Sequence, residues 1–134
     1  LYYWAERGQG AFKQQGEEAA LSIKVRSPDK KRLGIVASRD HAGPMVQELL
    51  ERFPGAETQS MGSSLKFCLI AEGKADIYLR DVPTMEWDTA AAQCVVEQAG
   101  GVVQDIEGNR LGYNKPVLRN PSIITLGEAS LTWR

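Results

Sequence analysis

The sequence is poor in the residues that most often announce a mechanism. It has one histidine, His41, which excludes a multi-histidine zinc centre. It has neither a Gly-x-Ser-x-Gly elbow nor a Cys-His arrangement that would propose a covalent nucleophile. Its two cysteines, Cys68 in LKFCLIA and Cys94 in AAQCVVEQ, stand inside apolar runs. So few thiols exclude a disulfide framework, and the expectation is two buried thiols acting as small hydrophobes in a reducing, cytoplasmic compartment. No run approaches the roughly eighteen consecutive apolar residues of a membrane span, and no basic start followed by an apolar core marks a signal peptide. Contact with the inner face of a membrane stays open. A charge excess is lacking too, since 16 Lys and Arg stand against 17 Asp and Glu, a net charge of −1. That balance argues against a nucleic-acid polymer as partner, whereas a small phosphorylated ligand needs only a few well-placed cations. An initiator methionine is also missing: the chain opens on LYYWAERGQGAF, already patterned as a strand, as expected of a piece of a longer protein.

What is present fits one domain, since 134 residues can bury about two thirds of the unfolded surface in a single core. Tyr2 to Glu6 and Gly10 to Gln14 are short aromatic-rich runs on either side of RGQ, the pattern of a β-hairpin. ALSIKV alternates apolar and polar residues and predicts another strand. SPDKKR then breaks the pattern: Pro28 and Asp29 suit a turn, and Lys30, Lys31 and Arg32 read as a solvated loop tip or as a binding patch. From Leu33 strands and helices alternate. LGIVAS predicts a buried parallel strand, and GPMVQELLERF, with Met45, Val46, Leu49, Leu50 and Phe53 on one face, predicts a helix. AETQSM follows as a strand, SSLKFCLIAEG as a helix ended by Gly73, and ADIYLR as a strand. A helix from about Asp88 to Gln98 is closed by Gly100 and Gly101. GVVQDI and SIITLG complete the pattern as two late strands around the turn EGNR. The fold class this predicts is α/β, a layered α/β/α domain with a mostly parallel central sheet.

In such sheets ligands bind beyond the carboxyl ends of the strands. Three loops, ASRDH, MGSSLK and RDVPTMEWD, are expected to open on that edge. Asp88, at the mouth of a helix, admits two readings: an N-cap, for which aspartate is a preferred residue, or a ligand to a divalent cation such as magnesium, which takes carboxylates, phosphate oxygens and water. Glu86 and Asp81 could join it, but alternate residues of a loop need not converge, and both are expected to face solvent. Ser63 and Lys66 of GSSLK place a hydroxyl and a cation where a phosphoryl oxygen could be held. The alternative is a cap formed by Ser63 or Ser64, with Lys66 in water. Arg80, ending a buried strand, either pairs with Asp81 or clasps a phosphate or carboxylate. His41 reads as a solvated or capping residue, with general base as the competing role.

EWDTAAAQCVVEQAGG resembles the C-terminal signature of the inositol monophosphatase superfamily, in which Trp-Asp, small residues and a terminal Gly-Gly recur in one block. MGSSLKFCLIAEGKADIYLR is similar to the preceding segment in the 3′(2′),5′-bisphosphate nucleotidase branch of that family, and GQGAF and ASRDH fall in the expected order upstream. The resemblance runs from the hairpin to the NPSI segment. It implies a phosphomonoesterase with Mg2+ as cofactor that removes the 3′-phosphate of adenosine 3′,5′-bisphosphate, leaving AMP, as a housekeeping step of sulfate assimilation. It also implies Asp88 as a metal ligand beside the substrate, Ser63, Lys66 and Arg80 as substrate contacts, and His41 at the border of the nucleotide site. In the inositol-specific branch the position of Arg80 tends to hold an acid, so the cation favours a substrate with a second phosphate. The family's Asp-Pro-(Ile/Leu)-Asp-Gly-Thr metal motif and its upstream glutamate are absent from these residues. Residues 1–134 are thus expected to be a single C-terminal domain of a two-domain phosphatase, partnered by an N-terminal metal-binding half of the same protein and inactive without it. An inositol or sugar phosphate phosphatase and a non-catalytic phosphate-binding module stay open as alternatives, as does the oligomeric state.

Overall fold

Strands that are apolar on both faces can be buried only in a sheet covered on both sides, and the centre of this chain is built around three of them. The computed structural model describes residues 1–37, 43–59, 64–81 and 83–134. Strands β1 (Tyr2–Glu6), β2 (Gly10–Gln14) and β3 (Leu21–Ile23) form a separate antiparallel sheet in that order. Trp4 pairs with Phe12 across β1 and β2, the rings stacked with centroids 5.7 Å apart, a cross-strand contact that fixes the register of the hairpin.

The main sheet contains β4 (Gly34–Val36), β5 (Glu57–Gln59), β6 (Ile77–Arg80), β7 (Val102–Asp105) and β8 (Ile123–Leu126), in the order β5-β4-β6-β8-β7. β4 is parallel to both β5 and β6, while β8 is antiparallel to both β6 and β7. Every strand but β8 therefore runs in one direction, as the expected mostly parallel sheet requires. Among the described residues three helices cover it: α1 (Pro44–Arg52), α2 (Leu65–Ala71) and α3 (Glu86–Gln98). The period of two along a strand divides the core between the faces. Ile35, Ile77, Leu79, Ile124 and Leu126 pack with Val46 and Leu49 of α1. Val36, Tyr78, Ile123 and Val103 pack on the other face with Phe67 and Ile70 of α2 and Val95 and Val96 of α3. Each such aliphatic side chain, fully buried, stabilises the fold by about 1.5–3 kcal/mol. The three-stranded sheet lies outside α3, with Ala11 and Ile23 joining the same core.

The double glycine after α3 has two separate reasons. Gly100 has φ +102° and reverses the chain where a side chain would be strained. At Gly101 a Cβ would stand 2.7 Å from the Leu126 carbonyl oxygen and 2.9 Å from Val96 Cγ1, so the tight entry into β7 admits no side chain. At the opposite edge from the strand carboxyl ends, Asp76 is 1 % exposed and is satisfied by Arg26 Nε at 3.0 Å, Arg26 Nη2 at 2.8 Å and the Gly34 N–H at 2.8 Å. This ion pair staples the segment after β3 to the sheet.

Several expectations change. α3 begins at Glu86, two residues before Asp88. β7 and β8 are neighbours but are not joined by a tight hairpin: after a turn at Asp105–Asn109, where the Asp105 carboxylate accepts the N–H groups of Glu107 and Asn109, the chain runs on through residues 110–122 before β8. Both thiols are free, but only Cys68 is buried; Cys94 is half-buried, its Sγ 3.8 Å from the Ala5 carbonyl oxygen. Lys30, Lys31 and Arg32 are exposed, as a solvated loop tip requires. Among the described residues no helix is long and apolar enough to cross a membrane.

Candidate functional site

Because β5, β4 and β6 are parallel, the segments that follow them leave the sheet at one edge. The antiparallel β8 starts at that same edge, since Ile123 pairs with Arg80, and so the long β7–β8 connection also ends there. A cleft of about 360 Å³ opens at this edge, lined among others by Ser64, Tyr78, Arg80, Thr84, Trp87 and Asp88. These residues come from the starts of α2 and α3, the end of β6 and the β6–α3 segment.

Two cations define its chemistry. Lys66, in the first turn of α2, is 4 % exposed. Its ammonium lies 5.6 Å from the centroid of the Tyr78 ring, a cation–π contact. Arg80 is half-buried, and its Nε is buried without a hydrogen-bond partner. Among the described residues neither cation has a carboxylate within ion-pair distance. Burial, and after it the charge of Arg80, pull the Lys66 pKa below the usual lysine range. Burial raises the Tyr78 phenol, against the hydrogen-bonding and charge of Arg80. Two neighbouring positive groups withdrawn from water cost stability unless an anion joins them.

The acids around the cleft are arranged differently from one another. Asp88 is exposed, and its Oδ2 accepts the Met85 N–H at 2.9 Å, closing the first turn of α3 from the third helical position. The capping reading is thus correct in kind, but the residue caps from inside the helix. Glu86, expected in solvent, is 8 % exposed. It accepts the N–H groups of Asn114 and Lys115 at 3.0 and 3.1 Å and the Lys115 ammonium at 2.7 Å. Lys115 first, then these backbone donors, hold its carboxyl below the usual range against the effect of burial. Asp81, also expected in solvent, is half-buried and accepts the N–H groups of Gly43 and Met45 at 3.2 and 3.1 Å, at the start of α1. It therefore does not pair with Arg80. A Cβ on Gly43 would overlap the Asp81 carboxylate, which explains the glycine.

The structure brings Arg80 and Asp88 to one cleft, with Lys66 against the ring of the lining residue Tyr78 and not on the lining itself. Lys66 is buried and not in water. Ser64, at the cap position of α2, makes no capping hydrogen bond with its hydroxyl and lines the cleft instead. Ser63 and His41 lie outside the described residues. Sequence reasoning missed Tyr78, Thr84 and Asn120. Asn120 is 3 % exposed, and its backbone N–H and side-chain amide bind the Thr84–Met85 segment. Its only sequence signal was its place in the NPSI segment. Among the described residues no group of three or more acidic, histidine or cysteine side chains could hold a metal ion. On the described lining the donor set is one carboxylate, Asp88, which fits a single ligand's share of a hard-cation site and not a complete one.

Comparison with known proteins agrees with this architecture. The inositol monophosphatase family profile matches residues 1–131, and the chain belongs to that family. It is 42% identical over 97 residues to the 3′(2′),5′-bisphosphate nucleotidase CysQ of Escherichia coli strain K12, which covers 72% of this chain and 39% of that protein. Against the nucleotidase of the same name from Haemophilus influenzae the identity is 32% over 134 residues, 98% of this chain and 50% of the relative. The crystal structure of CysQ from Bacteroides thetaiotaomicron, described as a bacterial member of the inositol monophosphatase family, superimposes with a TM-score of 0.81 at 36% identity, over 92% of this chain and 52% of that one. The chain thus spans about half the length of these relatives, or less.

Proposed function

We propose that this chain is the C-terminal domain of a two-domain, magnesium-dependent phosphomonoesterase that removes the 3′-phosphate of adenosine 3′,5′-bisphosphate to give AMP. The observation that carries the reading is the pairing of buried Lys66 with half-buried Arg80, neither with a described carboxylate partner, beside a cleft with Asp88 on its rim. Such a pair suits a dianionic group, and the guanidinium Nε without a partner is a donor already desolvated for it. The relatives named as bisphosphate nucleotidases support the same substrate class.

In this reading Arg80 donates to a phosphate that is not cleaved, Lys66 adds its charge from beside the Tyr78 ring, and together they set the nucleotide's position. Asp88, held by the Met85 N–H, presents its carboxylate at the rim as one ligand for the metal. A magnesium ion, when bound, supplies charge neutralisation and an activated water; its other ligands come from the N-terminal half that the family resemblance implies. The same reading places the protein in the cytoplasm, in sulfate assimilation.

The test compares kcat/KM for adenosine 3′,5′-bisphosphate and inositol 1-phosphate in the chain completed to the length of its relatives. The bisphosphate should be preferred. Arg80→Ala should cost about 1.5–3 kcal/mol of charge-assisted bonding, roughly ten- to a hundredfold in kcat/KM on the bisphosphate, and much less on the monophosphate. A preference for inositol 1-phosphate would make the protein a polyol phosphatase, and binding without turnover would make it a phosphate-binding module.

A further inference from the structure

Two threonines line the cleft, Thr84 and Thr89, and the buried polar network beneath them treats them differently. The Asn120 amide nitrogen lies 3.1 Å from Thr84 Oγ1, 3.0 Å from the Met85 carbonyl and 3.0 Å from Thr89 Oγ1, its two protons shared among these three acceptors. The Met85 carbonyl fixes which end of the amide is the nitrogen, because the reverse orientation would set two oxygens against each other. Thr89 has one proton, and it has takers: Oγ1 is 3.3 Å from the Glu86 carbonyl and 3.0 Å from the Tyr113 hydroxyl. Tyr113 gives its own proton to Gln93 Oε1 at 2.6 Å, and so offers Thr89 only an acceptor. Gln93 passes the chain on to the Leu111 carbonyl and to Glu97. The donors under the cleft thus run in one direction, away from it.

Thr84 is the exception. Its oxygen accepts from Asn120, so its single proton lies on another side of that oxygen, and no described residue takes it. We infer that Thr84 is a ligand-binding residue of the cleft, a hydroxyl that donates to the anion attracted by Arg80 and Lys66 and is held in that orientation by Asn120. The inference rests on the anion-binding reading given above.

The test titrates adenosine 3′,5′-bisphosphate into the 134-residue chain by calorimetry, for the wild type, Thr84→Val, Thr84→Ser and Arg80→Ala. Thr84→Val keeps the shape and removes the hydroxyl, and it leaves the Asn120 nitrogen its acceptors on Met85 and Thr89. Its melting temperature should stay near that of the wild type while Kd rises about tenfold or more, as for a lost hydrogen bond to a charged group. Thr84→Ser should restore binding to within about threefold of the wild type, well under that loss. If the valine disturbs the segment, Thr84→Ala against Thr84→Ser gives the same comparison. Weakened binding in Arg80→Ala with unchanged binding in the hydroxyl-free variants would overturn the role of Thr84 alone. No binding by the wild type, or none lost in Arg80→Ala, would overturn the anion site and this inference with it.

Discussion

Lys66 is held in the fold against its own preference. It is 4 % exposed, lies over an aromatic ring, and has Arg80 as its charged neighbour. A lysine kept for stability alone would have a carboxylate partner or reach water. The pKa gives the sign of its contribution. Folding lowers it, by burial and then by Arg80, so the unfolded chain holds the proton more tightly than the fold does. The resulting penalty is complete at any pH below the folded value, and fades as pH rises toward the unfolded value of about 10.4. Lys66→Met keeps most of the volume and removes the charge. It should raise stability at pH 7 by on the order of 1 kcal/mol, read as about 3 °C in melting temperature, and the gain should shrink toward pH 10. The same variant should bind adenosine 3′,5′-bisphosphate less well, the exchange of stability for function expected of a ligand-holding residue. A lower melting temperature at pH 7 would mean that Lys66 is an ordinary structural lysine.

At the scale of elements, the site depends on a connection that no local pattern announces. Glu86 anchors the β7–β8 segment through Asn114 and Lys115, and Asn120 anchors it again at Thr84 and Met85. From sequence Glu86 looked solvent-facing because its partners lie 28 and 29 residues away. The start of α3 was misplaced for a related reason: Met85 is no polar cap, and the turn is closed by the Asp88 carboxylate reaching back to its N–H. The hairpin, by contrast, was readable to the residue, because alternating aromatics and flanking glycines are local signals. Strand β8 was readable as a strand but not in its direction, since a strand buried along its whole length carries no pattern that distinguishes parallel from antiparallel pairing. The Glu86 anchor predicts a pH dependence. Lys115, chiefly, lowers its folded pKa, so its contribution is present above the unfolded glutamate value of about 4.3 and is lost as pH falls through the folded value. The difference in urea midpoint between the wild type and Glu86→Gln should be largest near pH 7 and should close at acid pH. A difference that stays constant down to pH 3 would show that charge at Glu86 has no part in holding the segment.

At the scale of the molecule, the layered α/β order could be read from alternation alone, whereas a metal site could not be assembled from the described residues. Arg80 and Asp88 meet at one cleft because parallel strands deliver their following segments to one edge, a consequence of topology that the sequence pattern already implied. Among the described residues the cleft has no second acid. With Asp88 as the single carboxylate on the described lining, the chain can offer one ligand to a magnesium ion, and such an ion dehydrates reluctantly for so few anionic partners. The 134-residue chain should therefore release no phosphate from adenosine 3′,5′-bisphosphate at any magnesium concentration, even where it binds that nucleotide. In the chain completed to family length, Asp88→Asn isolates the charge from the cap. The asparagine oxygen can still accept the Met85 N–H, so unfolding free energy should move by no more than about 0.5 kcal/mol. Loss of an outer-shell partner of a metal ligand typically costs 10–100-fold, and loss of a ligand itself should cost more, beyond about a hundredfold in kcat at saturating magnesium. Equal turnover in wild type and Asp88→Asn, with both proteins folded, would return Asp88 to the role of a helix cap and move the metal elsewhere.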